Sequence, residues 1–257
     1  MGKVYLVGAG PGDAELLTLK AARILAQANI VLYDSLVSGE VLAMAPPTAE
    51  LVDVGKRCGK KLLTQDEINA LLVSYAASCE IVVRLKGGDP CIFGRAGEEL
   101  EALRNAKIEF EIVPGVTAAL GAAAAAGISL TDRRVASQVL LTTFSRGMEA
   151  SALDWGNITP ATTLVLYMPG PDYAEVARRL AEAGLPGDLP CVIVSAISGS
   201  QQQICWTSIS ALATEEKLPA PALMIVGRVA TRRVHEIAAA FWRGAGNGRA
   251  AESLSIS

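Results

Sequence analysis

The chain has 257 residues, 51% of them apolar and 19% charged, with a net charge of −3. Length and composition fit a globular protein with a well-buried core and room for two domains, and the charge balance excludes recruitment of the chain as a whole to nucleic acid or an acidic membrane surface. The five cysteines, Cys58, Cys79, Cys91, Cys191 and Cys205, are odd in number and lack Cys-x-x-Cys spacing, which argues against a disulfide framework or a zinc site and for a reduced, cytoplasmic setting.

In chain order, strand-like runs at Lys3–Val7, Ile30–Tyr33, Glu50–Val54, Glu80–Leu85 and Glu109–Val113 alternate with helical patterns at Leu16–Gln27, Gln65–Ala77 and Ala96–Ala106. This alternation predicts an α/β fold with a mostly parallel sheet. The longest uncharged run, Ile112 to Thr131, contains Pro114 and three glycines and is rich in alanine, so it reads as a buried helix and not as a membrane span. Its Thr117–Ala126 portion predicts a close-packing helix at the passage to a second half. There, strands are expected at Gln138–Thr143, Thr163–Tyr167, Pro190–Val194, Gln203–Thr207 and Ala222–Val226, with a helix at Asp172–Ala183 ended by Gly184. Short spacing between the last runs predicts a mixed sheet. Two α/β domains, 1–115 and 116–243, are expected, followed by a Gly-, Ala- and Ser-rich disordered tail over 244–257. The chain enters a strand-like run at once, so no signal peptide is expected.

Two glycine-rich turns carry most of the functional information. Val7-Gly8-Ala9-Gly10-Pro11-Gly12-Asp13 follows the first strand, and Arg84-Leu85-Lys86-Gly87-Gly88-Asp89-Pro90 includes the end of a later one. Open α/β sheets place ligands at such strand ends. The first turn is spaced G-x-G-x-G, not G-x-G-x-x-G, and Pro11 lacks an N–H, which weighs against a pyrophosphate-binding dinucleotide loop. A purely structural glycine turn explains either loop alone and explains the pair less well.

Taken in order, VYLVGAGPGDAELLTLKA (Val4–Ala21), VLYDSLVS (Val31–Ser38), VGKRCGKK with QDEIN (Val54–Asn69), VVRLKGGDPCIFGRAGEE (Val82–Glu99), VPGVTAALGAAAAAGISLTDR (Val113–Arg133), LVLYMPG (Leu164–Gly170) and PALMIVGRV (Pro221–Val229) resemble the tetrapyrrole methylases, and among them the branch that C-methylates uroporphyrinogen III. The resemblance implies two α/β domains with S-adenosylmethionine (leaving as S-adenosylhomocysteine) in the cleft between them, a homodimer, and methylation of uroporphyrinogen III at C2 and C7 to precorrin-2 through precorrin-1. It places Pro11, Gly87, Gly88, Asp89, Ile92, Thr117, Ala118, Met168 and Ile197 around the cofactor, although Ser195-Ala196-Ile197-Ser198 departs from the family's usual residues. It makes Asp34 the proton acceptor and Lys56 a proton donor. Glycine backbone can approach a cofactor closely, and Asp89 can take a cationic or hydroxyl partner. The bland alternatives are a core methionine at Met168, a turn or cap at Asp34 and a solvated surface lysine at Lys56.

The methyl donor is already activated, so the chemistry needs alignment and a proton acceptor but no metal. A substrate with eight carboxylates calls for cations. Arg84 and Lys86, which flank the cofactor loop, are expected to bind it, with Arg57, Lys60, Lys61, Arg95, Arg133 and Arg134 as further candidates. Around Cys58–Thr64 the chain is basic enough to serve as a lid. Two departures stand out: Asp132 and Phe144 occupy positions where the family usually has histidine, and the sole histidine, His235, lies outside every motif. An acid beside a polyanion is unfavourable. This keeps open a methyltransferase for a later corrin precursor such as precorrin-2, or a non-catalytic tetrapyrrole-binding homologue.

Overall fold

The computed structural model describes residues 2–55, 63–144 and 158–231. Strands β1 (Lys3–Gly8), β2 (Ile30–Tyr33), β3 (Glu50–Asp53), β4 (Ile81–Lys86) and β5 (Glu109–Val113) form one sheet in the order β3-β2-β4-β1-β5. Every pairing in it is parallel, with Lys3 opposite both Ile81 and Glu109. Helices α1 (Leu19–Leu25), α2 (Gly39–Leu42), α3 (Gln65–Ser78) and α4 (Ala96–Asn105) connect successive strands, and α5 (Ala118–Ala126) follows β5.

Period-two alternation gives this sheet two buried faces. Val4, Leu6, Ile30, Leu32 and Val82 pack with Ile68, Leu72 and Ala76 of α3 and Leu100 and Leu103 of α4. One residue out of step, Val7, Val31, Val83 and Leu85 pack with Ala21, Ile24 and Leu25 of α1 and Val41 of α2. Each fully buried leucine or isoleucine contributes about 1.5–3 kcal/mol relative to exposure.

Side-chain caps decide where the helices begin. The Thr18 hydroxyl accepts from Ala21 N at 3.1 Å, and Thr64 and Glu67 form a reciprocal capping box. The first helix starts at Leu19, later than the sequence pattern predicts, because Asp13 caps a separate 3-10 turn at Ala14–Leu16 before Thr18 caps a new helix.

The chain divides into two compact units: the first runs through Ala125 and takes in Val194–Gln203 and Leu218–Leu223, and the second holds the rest. The boundary expected at 115 therefore falls inside the first unit. Gly115 is the reason, since its backbone lies against Gly8 and Gly88 so closely that a Cβ on it would stand 2.3 Å from Gly88 O. That contact keeps α5 with the strands before it. A second sheet comprises β6 (Gln138–Thr143), β7 (Thr162–Tyr167), β8 (Pro190–Ser195), β9 (Gln203–Ser208) and β10 (Ala222–Val226) in the order β6-β7-β10-β8-β9. Strands β6 and β7 are parallel, and β10 lies between β7 and β8, an insertion that spacing along the chain does not reveal. Helix α6 (Tyr173–Glu182) is capped by Asp172 and buries Tyr173, Val176 and Leu180. Among the described residues no helix is long and apolar enough to cross a membrane. The tail over 244–257 and His235 lie outside the described residues.

The substitution Gly115→Ala is expected to destabilise the protein by roughly 1–3 kcal/mol, because its new methyl meets backbone and not a flexible side chain. Gly39→Ala, with nothing within 4 Å of the added methyl, is expected to change stability by less than about 1 kcal/mol. Urea unfolding of both variants checks this, and equal midpoints would disprove the tight junction.

Candidate active site

At the carboxyl edge of the first sheet the two glycine turns are joined. Gly10 N donates to Gly88 O at 3.2 Å and Gly88 N donates to Gly10 O at 2.7 Å. Both residues have positive φ, 73° and 68°, a conformation glycine adopts without strain. A Cβ at Gly88 would stand 3.7 Å from Ala118 N and 3.9 Å from Thr117 Cα, and one at Gly121 would stand 2.9 Å from Pro11 and from Ile197. Ile92 N donates to Asp89 O at 3.2 Å. The structure thus gathers Pro11, Gly88, Asp89, Ile92, Thr117, Ala118 and Ile197, with Gly87 beside them, in the first unit. Met168 follows β7 in the second unit, half exposed and at φ 50°.

The Asp89 carboxylate, expected to meet a cation or hydroxyl of a ligand, has backbone partners within the protein. Its Oδ1 accepts from Cys91 N at 2.8 Å and its Oδ2 from Gly115 N at 3.0 Å. The side chain ties its own loop to the β5–α5 loop and fixes the shape of the backbone beside Gly88. Ile197 is flanked by Ala196 and Ser198 at φ 47° and 60°, strained non-glycine geometry of the kind that gathers at ligand sites.

Arg84 and Lys86 are also placed differently from expectation. Alternation along β4 turns both toward the α3 and α4 side, as for Val82, and they are 2% and 3% exposed. There they meet Glu99 of α4, which is fully buried: Arg84 Nε donates to Glu99 Oε1 at 2.9 Å, and Lys86 Nζ lies 2.8 Å from each Glu99 oxygen. Arg84 Nη2 reaches Asp34 Oδ1 at 2.5 Å, and Arg84 Nη1 donates to Leu32 O and Leu85 O, both at 3.3 Å. These cations are committed to carboxylates, Glu99 in the core and Asp34 at its edge, and are themselves too buried to meet a substrate. Burial, and next the Arg84 charge, lower the Lys86 pKa from its ordinary value, with Glu99 opposing.

Asp34 sits just past β2, its N–H donating to Leu85 O at 3.2 Å, with its side chain 31% exposed. It is the one member of the four-charge cluster that reaches solvent. Lys56, Arg57, Cys58, Lys60 and Lys61 lie outside the described residues. The residue before them, Gly55, packs on the turn that follows Asp34, where a Cβ would stand 2.2 Å from Ser35 N.

The departures from the family's histidines have local partners in the second unit. Arg134 Nε and Nη2 donate to the Asp132 carboxylate at 2.9 and 2.6 Å, pulling its pKa down to about 2. Its negative charge is thus balanced by its neighbour, which removes the electrostatic objection to an acid there. The Arg179 guanidinium lies 5.1 Å from the centre of the Phe144 ring. Arg95 opens α4 in a left-handed conformation and pairs with Glu98 at 2.7 and 2.6 Å. Arg133 is exposed.

Sequence reasoning missed Glu99, although a signal exists. Ala96, Glu99, Leu100 and Leu103 occupy the spacing of one helix face, so an acid interrupts an apolar stripe, while Arg84 and Lys86 stand two apart on a buried strand.

Residues 3–213 match the model of the tetrapyrrole (corrin/porphyrin) methylases. The chain is 48% identical over 235 residues to the uroporphyrinogen-III C-methyltransferase of Paracoccus denitrificans, covering 90% of this chain and 82% of that protein. It is 47% identical over 232 residues to the sirohaem synthase of Actinobacillus succinogenes, covering 90% of this chain but only 49% of that longer protein. Among solved structures, the uroporphyrin-III C-methyltransferase of Thermus thermophilus complexed with S-adenosylhomocysteine superposes with a TM-score of 0.77 at 39% identity, covering 91% of this chain and all of that one. The chain belongs to the tetrapyrrole methylase family.

Replacing Lys86 by methionine leaves Glu99 with one cation, and by analogy with broken buried ion pairs stability should fall by about 3 kcal/mol. The folded protein binds the Lys86 proton less tightly than the unfolded chain does. The Lys86 contribution to wild-type stability therefore rises with pH from the lowered value toward the ordinary 10.5. Urea unfolding across alkaline pH should show this rise in the wild type and lose it in Lys86→Met.

Proposed function

We propose that the chain is an S-adenosylmethionine-dependent C-methyltransferase that methylates uroporphyrinogen III at C2 and C7, giving precorrin-2 by way of precorrin-1, a product that feeds sirohaem and cobalamin formation. The observation that carries this reading is the placement of Asp34: a half-buried carboxylate at the carboxyl edge of the sheet, one oxygen held by Arg84, its backbone bonded to the strand that leads into the second glycine turn. The names of the similar proteins support the substrate and the donor.

The glycine junction fits a ligand held by backbone, since Gly88 places no side chain over the start of α5. Pro11, Gly87, Gly88, Ile92, Thr117, Ala118, Ile197 and Met168 would hold S-adenosylmethionine, with Asp89 shaping the loop. When bound, this cofactor supplies a methyl group on a sulfonium, already activated for transfer to an electron-rich pyrrole carbon. Asp34 stabilises the positive charge that develops on the tetrapyrrole and takes up the proton released from it. Lys56, the next residue in the chain after Gly55, is the proton donor. With Arg84 and Lys86 committed elsewhere, the substrate carboxylates fall to the exposed Arg133 and the basic residues Arg57, Lys60 and Lys61.

A later corrin precursor as substrate is the second reading. Tyr33-Asp34-Ser35-Leu36-Val37 favours the first, and the Arg134 partner of Asp132 removes the charge argument for the second. A homodimer in the cytoplasm completes the proposal; among the described residues Cys79, Cys91, Cys191 and Cys205 are unbridged, which suits a reducing compartment.

Anaerobic incubation with S-adenosylmethionine and uroporphyrinogen III, followed by mass spectrometry, should show a gain of two methyl groups. Asp34→Asn should lower kcat by about 10²–10⁴-fold, the range of general acid–base catalysis, while leaving S-adenosylhomocysteine affinity within about twofold because it touches none of the glycine junction. A wild-type protein that binds the cofactor but transfers nothing would shift the substrate to precorrin-2, and failure there would leave a tetrapyrrole-binding homologue.

A further inference from the structure

We infer that Glu99 is a positioning residue for methyl transfer, acting through Arg84 on Asp34. The inference rests on Asp34 as the reacting carboxylate, as proposed above, and adds a residue that touches neither cofactor nor substrate.

The geometry is a chain of fixed contacts from α4 to the sheet edge. Lys86 Nζ lies 2.8 Å from each Glu99 oxygen, which holds the carboxylate plane, and Gln65 Nε2 of α3 is 3.4 Å from Oε1. Glu99 Oε1 in turn takes the Arg84 Nε hydrogen at 2.9 Å. A guanidinium is planar, so fixing Nε against Glu99 and Nη1 against two backbone carbonyls fixes where Nη2 points. It points at Asp34 Oδ1, 2.5 Å away. Asp34 Oδ2 has no hydrogen-bond partner among the described residues and belongs to a side chain that is 31% exposed.

The charges explain why the device needs all four groups. Two cations and two carboxylates cancel, so the strand carries a guanidinium inside the core without a net buried charge. Stability alone is a weak reason to keep such a cluster, because well-packed apolar residues do as well or better in its place. What the cluster provides is direction. One of its four members emerges at the sheet edge with one oxygen tethered and the other left for chemistry, and that orientation is set more than one side chain away, on α4.

The test compares wild type, Glu99→Gln, Asp34→Asn and the double variant by kcat, KM for uroporphyrinogen III and S-adenosylhomocysteine affinity. Glu99→Gln is expected to lower kcat about tenfold or more, since small misplacement of a reacting group costs up to about 10²-fold, with KM and cofactor affinity within about threefold. In the Asp34→Asn background the same change is expected to cost less than about twofold, because residues acting through one another are not additive. Unchanged kcat in Glu99→Gln, or losses that multiply in the double variant, would overturn the inference. If Glu99→Gln does not fold, Arg84→Lys replaces it; this keeps the charge and loses the fork, and wild-type kcat in that variant overturns the inference equally. Crystal structures of wild type and the folded variant separate this inference from the proposed function. A side-chain nitrogen from position 84 still on Asp34 Oδ1 in undisturbed geometry counts against the positioning role whatever the activity. Displacement of Asp34 together with a lowered kcat upholds it; a wild type that methylates no uroporphyrinogen III overturns the functional reading instead, wherever Asp34 lies in the variant.

Discussion

Close backbone packing where β1, β4 and β5 end is the constraint on which the rest of the first unit depends. These strands are neighbours in the sheet, so their loops leave the same edge and must share the same space. They can do so because Gly8, Gly88 and Gly115 bring main chain against main chain, at distances where a methyl group on Gly8 or Gly115 would overlap its neighbours. The Gly10–Gly88 bridge then locks two of the loops, and the Asp89 carboxylate locks the second to the third. Helix α5 starts from the third loop, which is why it stays with the first unit. A surface made this way presents backbone and few side chains, a suitable cradle for a ligand recognised by shape.

A second consequence follows from alternation along β4. Val83 and Leu85 pack toward α1 and α2, which obliges Arg84 and Lys86 to enter the opposite core. Two cations there need two anions, and α4 and the turn after β2 supply them in Glu99 and Asp34. The catalytic candidate is therefore tied to the core's own electrostatics, and the same arrangement that makes β4 buried also orients Asp34.

Much of the first sheet was legible in the sequence. The runs at Ile30–Tyr33 and Glu109–Val113 coincide with β2 and β5: β2, buried inside the sheet, reads as a continuous apolar segment, and β5, at the sheet edge, alternates Glu109 and Glu111 with Phe110 and Ile112. Helix starts were less legible at α1, where consecutive caps at Asp13 and Thr18 compete. The glycine turns, Asp34 and the neighbourhood of Gly88, Thr117 and Ala118 were readable from motif and position. The roles of Asp89, Arg84 and Lys86 were not, since a carboxylate or a cation looks the same in sequence whether it faces a ligand or a buried partner.

By itself the sequence determined which segments become strands and helices, the parallel character of the first sheet, and the family to which the motifs point, because hydrophobic period and turn chemistry act over a few residues. Only the tertiary structure decided that Asp89 serves its own loops, that Asp132 is neutralised by Arg134, that residues 194–203 and 218–223 return to the first unit, and that Glu99 closes a charge cluster with β4. Three of these outcomes depend on which partner each polar group meets within hydrogen-bonding distance and the fourth on which segments pack together; such meetings are set by the packing of elements far apart or differently turned in the chain, which local pattern does not encode.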